Sequence, residues 1–279
     1  MRETIELLLR LQERSLIRDE QRSLYGPNAD LTALSESIDE LAQKLDPPTR
    51  TIYARLSKKD HIVLSPMHAG KCSMCGMSLA ISQVQSVKQC RTLVACPSCA
   101  RILYDPEGAK WVAARPKLSA GERKTGIARF SSQALMVADL GATTAEDAIS
   151  RLAAAAQGAG LVDDASKLVA AAMERERTLS TAVGKGLAFP HVRGIEGGGL
   201  TLALGTSREG VKWSGADDKP VHFVFFSTIP TAVSAFYLKL ISGLVDTFTK
   251  ETHRKAVLAA GDQESLWKAL VKATRYSVK

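Results

Sequence analysis

Two stretches of the sequence hold residues whose types and spacing suit chemistry, and the first is TLSTAVGKGLAFPHVRG at 178–194. His191 follows Pro190, which fixes its own φ and pushes the preceding residue toward an extended conformation. An imidazole is a nucleophile near neutral pH because its pKa lies near ~6.5. On a rigid backbone it can accept a phosphoryl group and release it again, since positioning carries most of the catalysis of phosphoryl transfer. The alternative is a histidine that only packs at the end of a strand.

The second stretch contains two CxxC pairs separated by twenty residues. Each pair aims two thiolates at one point, and two pairs complete the tetrahedron that Zn²⁺ prefers. The full ligand set leaves no open coordination position, so the predicted zinc site is structural, His68 is redundant and Cys90 is a small apolar residue. Four unrelated buried thiols are the alternative. The predicted ligands are Cys72, Cys75, Cys96 and Cys99.

The composition is that of a globular protein of the cytosol. The chain has 279 residues, 45% of them apolar, which is enough for two or three modest domains. No stretch reaches the roughly 18 apolar residues of a membrane span, and the first residues do not resemble a signal peptide. We therefore expect a cytoplasmic protein with no membrane partner. Part of the net charge of +8 lies at residues 110–129, interpreted as a solvated linker that permits nucleic-acid contact without requiring it.

The elements that must position the cysteines are helices followed by short strands. Residues 1–24 carry apolar side chains at helical spacing, and those of 31–45 repeat at intervals of three and four, as in a coiled coil. The sequence DPP ends this helix, and a third short helix is expected at 49–58. The runs HIVL and RTLVAC predict strands beside the cysteines. Because such narrow apolar stripes cannot form a core alone, we expect a homodimer or a partner protein to bind through residues 1–58.

The elements that must position His191 follow a mixed α/β pattern from residue 129 onward. Thr143 begins a capping box with Glu146 three residues later, and the helix that follows should reach about Gln157. A second helix, DASKLVAAAMERER, ends just before the stretch around His191. Further strands are expected at 186–190, 199–205 and 221–227, and further helices at 232–249 and 263–274.

The N-terminal part resembles a known family. The segments IYARLSKKDHIVLSPMHAGKCSMCGMSLA and QCRTLVACPSCARILYDP, which follow the helices, are similar to the bacterial C4-type zinc-ribbon proteins that carry an N-terminal coiled-coil hairpin. The resemblance covers roughly residues 1–105. It implies an adaptor that binds a partner protein or a nucleic acid, and not an enzyme.

The C-terminal part resembles a second family. RERTLSTAVGKGLAFPH, which ends at His191, and LALGTSREGVKWSGADDKPVHFVFF are similar to the type-2 enzyme IIA domain of the phosphoenolpyruvate-dependent sugar phosphotransferase system, in its fructose, mannitol and nitrogen-regulatory branch. The resemblance implies that His191 accepts a phosphoryl group from the histidine phosphocarrier protein HPr. It also implies that Arg175, sixteen residues upstream, lies against the phosphohistidine. Ser180, Thr181 and the amides of their turn are expected to support the phosphoryl oxygens.

One position departs from the family pattern. Where a second active-site histidine is expected, counting along IPTAVSAFYLKL gives Tyr237. A tyrosine donates one hydrogen bond to a phosphoryl oxygen but carries no positive charge, so the departure predicts weakened phosphotransfer, a sensor, or a scaffold without activity. Arg177 and Arg193 do not fall on the family's arginine and are interpreted as solvated surface. His222 and His253 are interpreted as bystanders.

These observations predict a multidomain chain. Its parts are a helical coiled-coil hairpin at 1–60, a C4 zinc ribbon at 61–105, a basic linker at 106–128 and, at 129–279, an α/β domain of the enzyme IIA type 2 kind with a mixed sheet flanked by helices. The expected function is that of a regulatory IIA-like protein, which takes a phosphoryl group from an HPr-like carrier and signals to a regulated partner through its N-terminal half. The alternatives are a non-catalytic interaction module and a nucleic-acid-binding regulator with a degenerate IIA domain.

Overall fold

The computed structural model describes residues 1–26, 29–106, 124–196, 198–215 and 219–278. These residues form two compact units, within Met1–Lys110 and Trp111–Lys279. The expected basic linker lies mostly outside the described residues, and its described end leads into a short 3₁₀ helix at Gly126–Arg129. Within the described ranges, no helix has both the length and the apolar composition that crossing a bilayer requires.

The N-terminal unit is helical at its start and contains a small sheet. The prediction of three helices is confirmed. The third helix is capped by Asp46, whose carboxylate accepts a hydrogen bond from the Thr49 amide at 3.1 Å. The two prolines after Asp46 fit the first turn of a helix, where an N–H is not needed, so the third helix begins two residues earlier than expected. The elements are α1 (Arg2–Tyr25), α2 (Thr32–Gln43), α3 (Pro47–Ser57), β1 (Leu64–His68), β2 (Lys71–Cys72), α4 (Ile81–Gln89), β3 (Val94–Ala95) and β4 (Ile102–Tyr104).

The helices and the sheet of this unit share one hydrophobic core. Ile38 and Leu45, from the heptad-like stripe, are buried against side chains of α1, α3 and the strands. Residues 1–60 and 61–105, expected as separate domains, therefore fold around common apolar side chains. The stripe on which the expected dimer rests is partly covered within the chain, and association through residues 1–58 stays a prediction. The buried members of the core are Leu8, Leu11, Ile38, Leu45, Tyr53, Val63, Leu64 and Ile102.

The small sheet has the order β2-β1-β4-β3, with β1 parallel to β4 and the other pairs antiparallel. The spacer between the two cysteine pairs contains helix α4 before β3. This helix was not predicted, because among its residues only Val87 is buried and Ile81 is 81% exposed, so no apolar stripe marks it.

The C-terminal unit is an α/β domain with a mixed sheet and helices, as predicted. β8 and β9 run antiparallel at the centre, β5 pairs with β8 in parallel, and β6 and β7 pair in parallel with successive parts of β9. The elements are β5 (Met136–Val137), α5 (Ala145–Gly158), α6 (Ala165–Thr178), β6 (Leu187–Ala188), β7 (His191–Arg193), β8 (Thr201–Val211), β9 (Val221–Ile229), α7 (Ser234–Thr249), α8 (Glu251–Leu258) and α9 (Gln263–Thr274).

Two helices of this unit differ from the prediction. The cap of α5 is Thr144 and not Thr143, because the Thr144 hydroxyl accepts from the Asp147 amide at 3.2 Å. Helix α8 was not predicted, since Val257 is its only buried residue and the rest of ETHRKAVL reads as polar surface.

Candidate functional site

His191 is the first residue of β7, where it pairs with Ser227 of β9, and its side chain is 2% exposed. Its Nδ1 lies 3.0 Å from the carbonyl oxygen of Phe189 and 3.1 Å from the hydroxyl of Tyr237. Because a carbonyl oxygen only accepts hydrogen bonds, these partners assign the proton of the neutral imidazole to Nδ1. The lone pair then lies on Nε2, which is the nucleophilic nitrogen of this side chain.

Tyr237 reaches His191 from helix α7, although 46 positions separate them in the sequence. The rings of the two residues lie 5.1 Å apart at an angle of 47°. A cluster of phenylalanines packs α7 against β9. Phe189 stacks on Phe225 of β9 at 5.0 Å, and Phe225 contacts Phe248 of α7 edge to face at 4.9 Å. The aromatic core therefore determines the contact between the tyrosine and the histidine.

The turn before β6 requires its glycines. Gly184 and Gly186 have φ values of +82° and +73°, a region that residues with a Cβ rarely adopt. A Cβ on Gly186 would also lie 3.1 Å from Cδ2 of His222, so the backbone approaches β9 more closely there than another residue allows. His222 is thus in contact with this turn, and its Nδ1 lies 2.9 Å from the Ser207 carbonyl oxygen. These contacts are those of a residue that packs within the fold.

Arg175 lies near the end of α6, the helix that packs against β7. Its side chain is only 8% exposed, and its Nη1 donates to the carbonyl oxygen of Leu179 at 2.8 Å. This bond closes the C-terminal end of the helix. The structure thus places a buried cation on an element that contacts the strand of His191.

Ser180 and Thr181 are held by a glutamate that the sequence did not single out. Glu176 accepts hydrogen bonds from the Ser180 hydroxyl at 2.9 Å, from the Thr181 amide at 2.9 Å and from the Thr181 hydroxyl at 2.7 Å. The indole Nε1 of Trp213 donates to the same carboxylate at 2.7 Å. Both hydroxyls therefore contact Glu176. No periodic signal marks this glutamate, which reads as helix surface in the run MERER.

Arg193 belongs to this site although it was interpreted as solvated surface. Its guanidinium carbon lies 5.4 Å from the ring centroid of Tyr237, and the side chain is half-buried. Residues i and i+2 of a strand point to the same face, so His191 and Arg193 lie on one side of β7. This alternation along the strand is the sequence signal that could have placed Arg193 in the site. Arg177, in contrast, is exposed and pairs with Glu174 on the surface of α6, as predicted.

The four cysteines of the two CxxC pairs come together in the N-terminal unit. Their sulfur atoms all lie within 4.8 Å of one another, with 3.7 Å between Cys72 and Cys99 and 3.6 Å between Cys75 and Cys96. Sulfur atoms at about 2.3 Å from a tetrahedral metal ion are separated by about 3.8 Å. The spacing therefore fits a tetrahedral metal ion. Neither Cys90 nor the exposed His68 belongs to this group.

Groups around the cysteines orient them. Burial raises the pKa of the Cys72 and Cys96 thiols, the latter to about 12, and backbone N–H groups that bond to each sulfur oppose this effect. The Cys72 thiol also donates to the hydroxyl of Ser65 at 3.3 Å, and Ser65 is fully buried. A cation among the four sulfur atoms would favour their thiolate forms, so the cluster could hold a metal ion.

The C-terminal unit is similar to known proteins. Residues 130–273 match the family described as phosphoenolpyruvate-dependent sugar phosphotransferase system, EIIA 2. The PTS system fructose-specific EIIA component of Haloferax volcanii is 32% identical over 123 residues, which cover 44% of this chain and 80% of that protein. The fructose-specific EIIABC component of Bacillus subtilis is 27% identical over 121 residues, and these cover 43% of this chain but only 19% of that protein.

Among solved structures, nitrogen regulatory protein IIA-Ntr of Neisseria meningitidis is 22% identical to this chain. The match covers 51% of this chain and 97% of that one, with a TM-score of 0.46.

Proposed function

This chain belongs to the EIIA 2 family of the phosphoenolpyruvate-dependent sugar phosphotransferase system, and from that premise we propose that His191 accepts a phosphoryl group from an HPr-like phosphocarrier protein. The observation that carries the proposal is the pair of contacts at Nδ1, from the Phe189 carbonyl oxygen and the Tyr237 hydroxyl. They hold the imidazole in one tautomer with the nucleophilic lone pair on Nε2.

The transfer needs no proton to cross the site. The phosphorus–nitrogen bond of the donor breaks while Nε2 of His191 forms a new bond to phosphorus, and the donor imidazole leaves with the electron pair of the broken bond. Nδ1 keeps its proton, and the Phe189 carbonyl oxygen accepts from it more strongly as the imidazole becomes cationic. The same contacts act in reverse when the phosphoryl group passes to the next acceptor.

Arg175 is the proposed charge partner of the phosphohistidine. It is buried, it lies on the helix that packs against β7, and one of its nitrogens is engaged with Leu179. A guanidinium group has five N–H donors in a planar fork whose geometry matches phosphoryl oxygens. The Glu176 carboxylate fixes the loop of Ser180 and Thr181, which precedes the strand of His191.

We also propose that the four cysteines bind one structural Zn²⁺. A set of four thiolates at tetrahedral spacing is typical of zinc sites that stabilise a fold and have no open position for a substrate. Here the ion would connect the turn after β2 with the turn after β3. The N-terminal unit would then present a rigid surface to a regulated partner, whose affinity changes with the charge on His191. This coupling is the regulatory part of the proposal.

Two observations favour a second candidate function, a binding module without phosphotransfer. His191 is only 2% exposed, and a tyrosine stands where the family's second histidine is expected. A phosphoryl donor must reach Nε2, so transfer requires a neighbouring side chain to move. A protein that uses the IIA fold only to bind a partner would not need that movement.

Nucleic-acid binding by the N-terminal half would be recognised by an affinity that falls steeply as the salt concentration rises.

One experiment separates these functions. The full chain is incubated with phosphoenolpyruvate, enzyme I and HPr, and its intact mass is measured. The proposal predicts one added phosphoryl group that depends on HPr and maps to His191 in a digest. An unchanged mass, with HPr itself phosphorylated in the same tube, would support the binding module and contradict phosphotransfer.

A further inference from the structure

We propose that Arg193 binds the phosphoryl group at His191 and supplies the positive charge that Tyr237 cannot. This inference rests on the proposed phosphotransfer function and names a further residue of that site. It starts from the stack of three side chains in which the Tyr237 hydroxyl contacts Nδ1 of His191 and the Arg193 guanidinium group lies over the Tyr237 ring.

The strand places Arg193 beside the phosphoacceptor. In β7 the two residues are separated by one position, so their side chains leave the same face of the strand about 7 Å apart along it. β7 pairs with β9 at both positions, His191 with Ser227 and Arg193 with Ile229. The backbone of both residues is therefore fixed by the same ladder, and the long arginine side chain folds back over Tyr237.

The exposures of the three side chains give their order toward solvent. His191 is 2% exposed and Tyr237 is 1% exposed, whereas Arg193 is half-buried with its Nη1 atom fully buried. Of these three side chains, Arg193 is therefore the one that a phosphoryl donor meets first. Its buried Nη1 atom shows that the side chain also extends into the site. A guanidinium group in this position can meet the phosphoryl oxygens as they approach Nε2.

The chemistry of the pair suits this role. A guanidinium group that lies over an aromatic ring has all its N–H groups in its own plane. Two of these N–H groups can therefore bind two phosphoryl oxygens at once. Phosphoryl transfer spreads negative charge over three oxygens, and a fixed cation stabilises that charge without moving a proton. Tyr237 serves as a neutral platform. A histidine at 237 would carry positive charge in part of the population and would repel Arg193.

The test compares phosphoryl transfer from HPr in wild type, Arg193→Gln and Arg193→Lys. Loss of one charge-assisted contact in the transition state lowers the rate by roughly ten- to a hundredfold, which we expect for Arg193→Gln. Arg193→Lys keeps the charge and loses the fork, so its rate should lie between the two. The matched control is Arg177→Gln, which removes an exposed arginine that pairs with Glu174 and should leave the rate unchanged. Thermal unfolding of each variant verifies that it is folded.

A second comparison tests the coupling through Tyr237. In a Tyr237→Leu background the platform is gone, and Arg193→Gln should cost less there than in wild type. Tyr237→His should not raise the rate.

The outcomes distinguish this inference from the function on which it rests. If wild type takes up no phosphoryl group, both fail together. If wild type is phosphorylated and Arg193→Gln is equally fast, or if Arg193→Lys and Arg193→Gln lose the same factor, only the inference on Arg193 is overturned.

Discussion

The cysteine cluster and the His191 site are built in opposite ways. The cluster draws its four sulfur atoms from two short motifs, Cys72-to-Cys75 and Cys96-to-Cys99, and each motif shapes its own turn. The His191 site draws Phe189 from the chain just before β7 and Tyr237 from α7. Local motifs define a site through their own backbone geometry, whereas a site assembled from distant elements depends on the core that holds those elements together.

The largest expected effect is loss of phosphoryl acceptance on substitution of the nucleophile. His191→Ala removes the nitrogen that forms the bond to phosphorus, so intact mass after incubation with HPr should show no gain. His253→Ala is the control, because His253 lies in α8 with its Nδ1 3.0 Å from the Thr247 carbonyl oxygen. A phosphorylated His191→Ala variant would show that another residue is the acceptor.

The cysteine cluster should respond as a unit and leave the other site intact. Cys72→Ser is expected to reduce zinc from one ion per chain to none and to unfold the N-terminal unit, because metal binding contributes roughly 10–16 kcal/mol to the folding of such sites. Elemental analysis and circular dichroism measure both changes.

In the same samples, phosphoryl acceptance should persist, since the C-terminal unit has its own core. Cys90→Ser is the control and should keep its zinc. A fully folded protein without metal would contradict the structural role of the ion.

Arg175 tests how far a distant helix contributes to the His191 site. Arg175→Ala removes a cation and its bond to Leu179, and transfer from HPr should slow by roughly ten- to a hundredfold if one charge-assisted bond of about 1.5–3 kcal/mol forms in the transition state. Rapid-quench kinetics measure the rate. Arg177→Ala, two positions along the same helix, should transfer at the wild-type rate, and equal losses in both variants would point to damage of α6 instead.

The smallest effect concerns the support of the loop. Trp213→Phe keeps a buried ring and removes the N–H that donates to Glu176. Three hydrogen bonds to the carboxylate remain, so we expect destabilisation of about 1–2 kcal/mol and a change in transfer rate of less than about threefold. Thermal unfolding and the same kinetics check this. A tenfold slower transfer would mean that Glu176 acts on the phosphoryl site more directly than through its loop.

The sequence predicts most of the features that a single short segment determines and few of the contacts between distant segments. The four cysteines and His191 stand in motifs whose spacing determines their geometry, and the main helices follow from periodic apolar side chains. Tyr237 was found by resemblance. Glu176 and Arg193 were missed because a glutamate in a charged helical run and an arginine after a strand are common on surfaces. Their roles arise from tertiary contacts with Trp213 and Tyr237, which no sequence period encodes.

The same limit explains the fold of the N-terminal half. The heptad-like stripe suggested a hairpin that needs a partner, yet Ile38 and Leu45 are buried in a core that β1 and β4 help to form. An apolar stripe indicates that one face of a helix is buried, but it does not indicate whether a strand, another helix or a partner protein buries it.

The central claim is that the contacts at Nδ1 leave Nε2 of His191 as the phosphoacceptor. It is tested most directly by ³¹P and ¹⁵N NMR of the full chain, labelled at its histidines and phosphorylated through HPr. We predict a single phosphohistidine at residue 191 with the bond to phosphorus at Nε2. A phosphoryl group on Nδ1, on another residue, or on none would contradict the account.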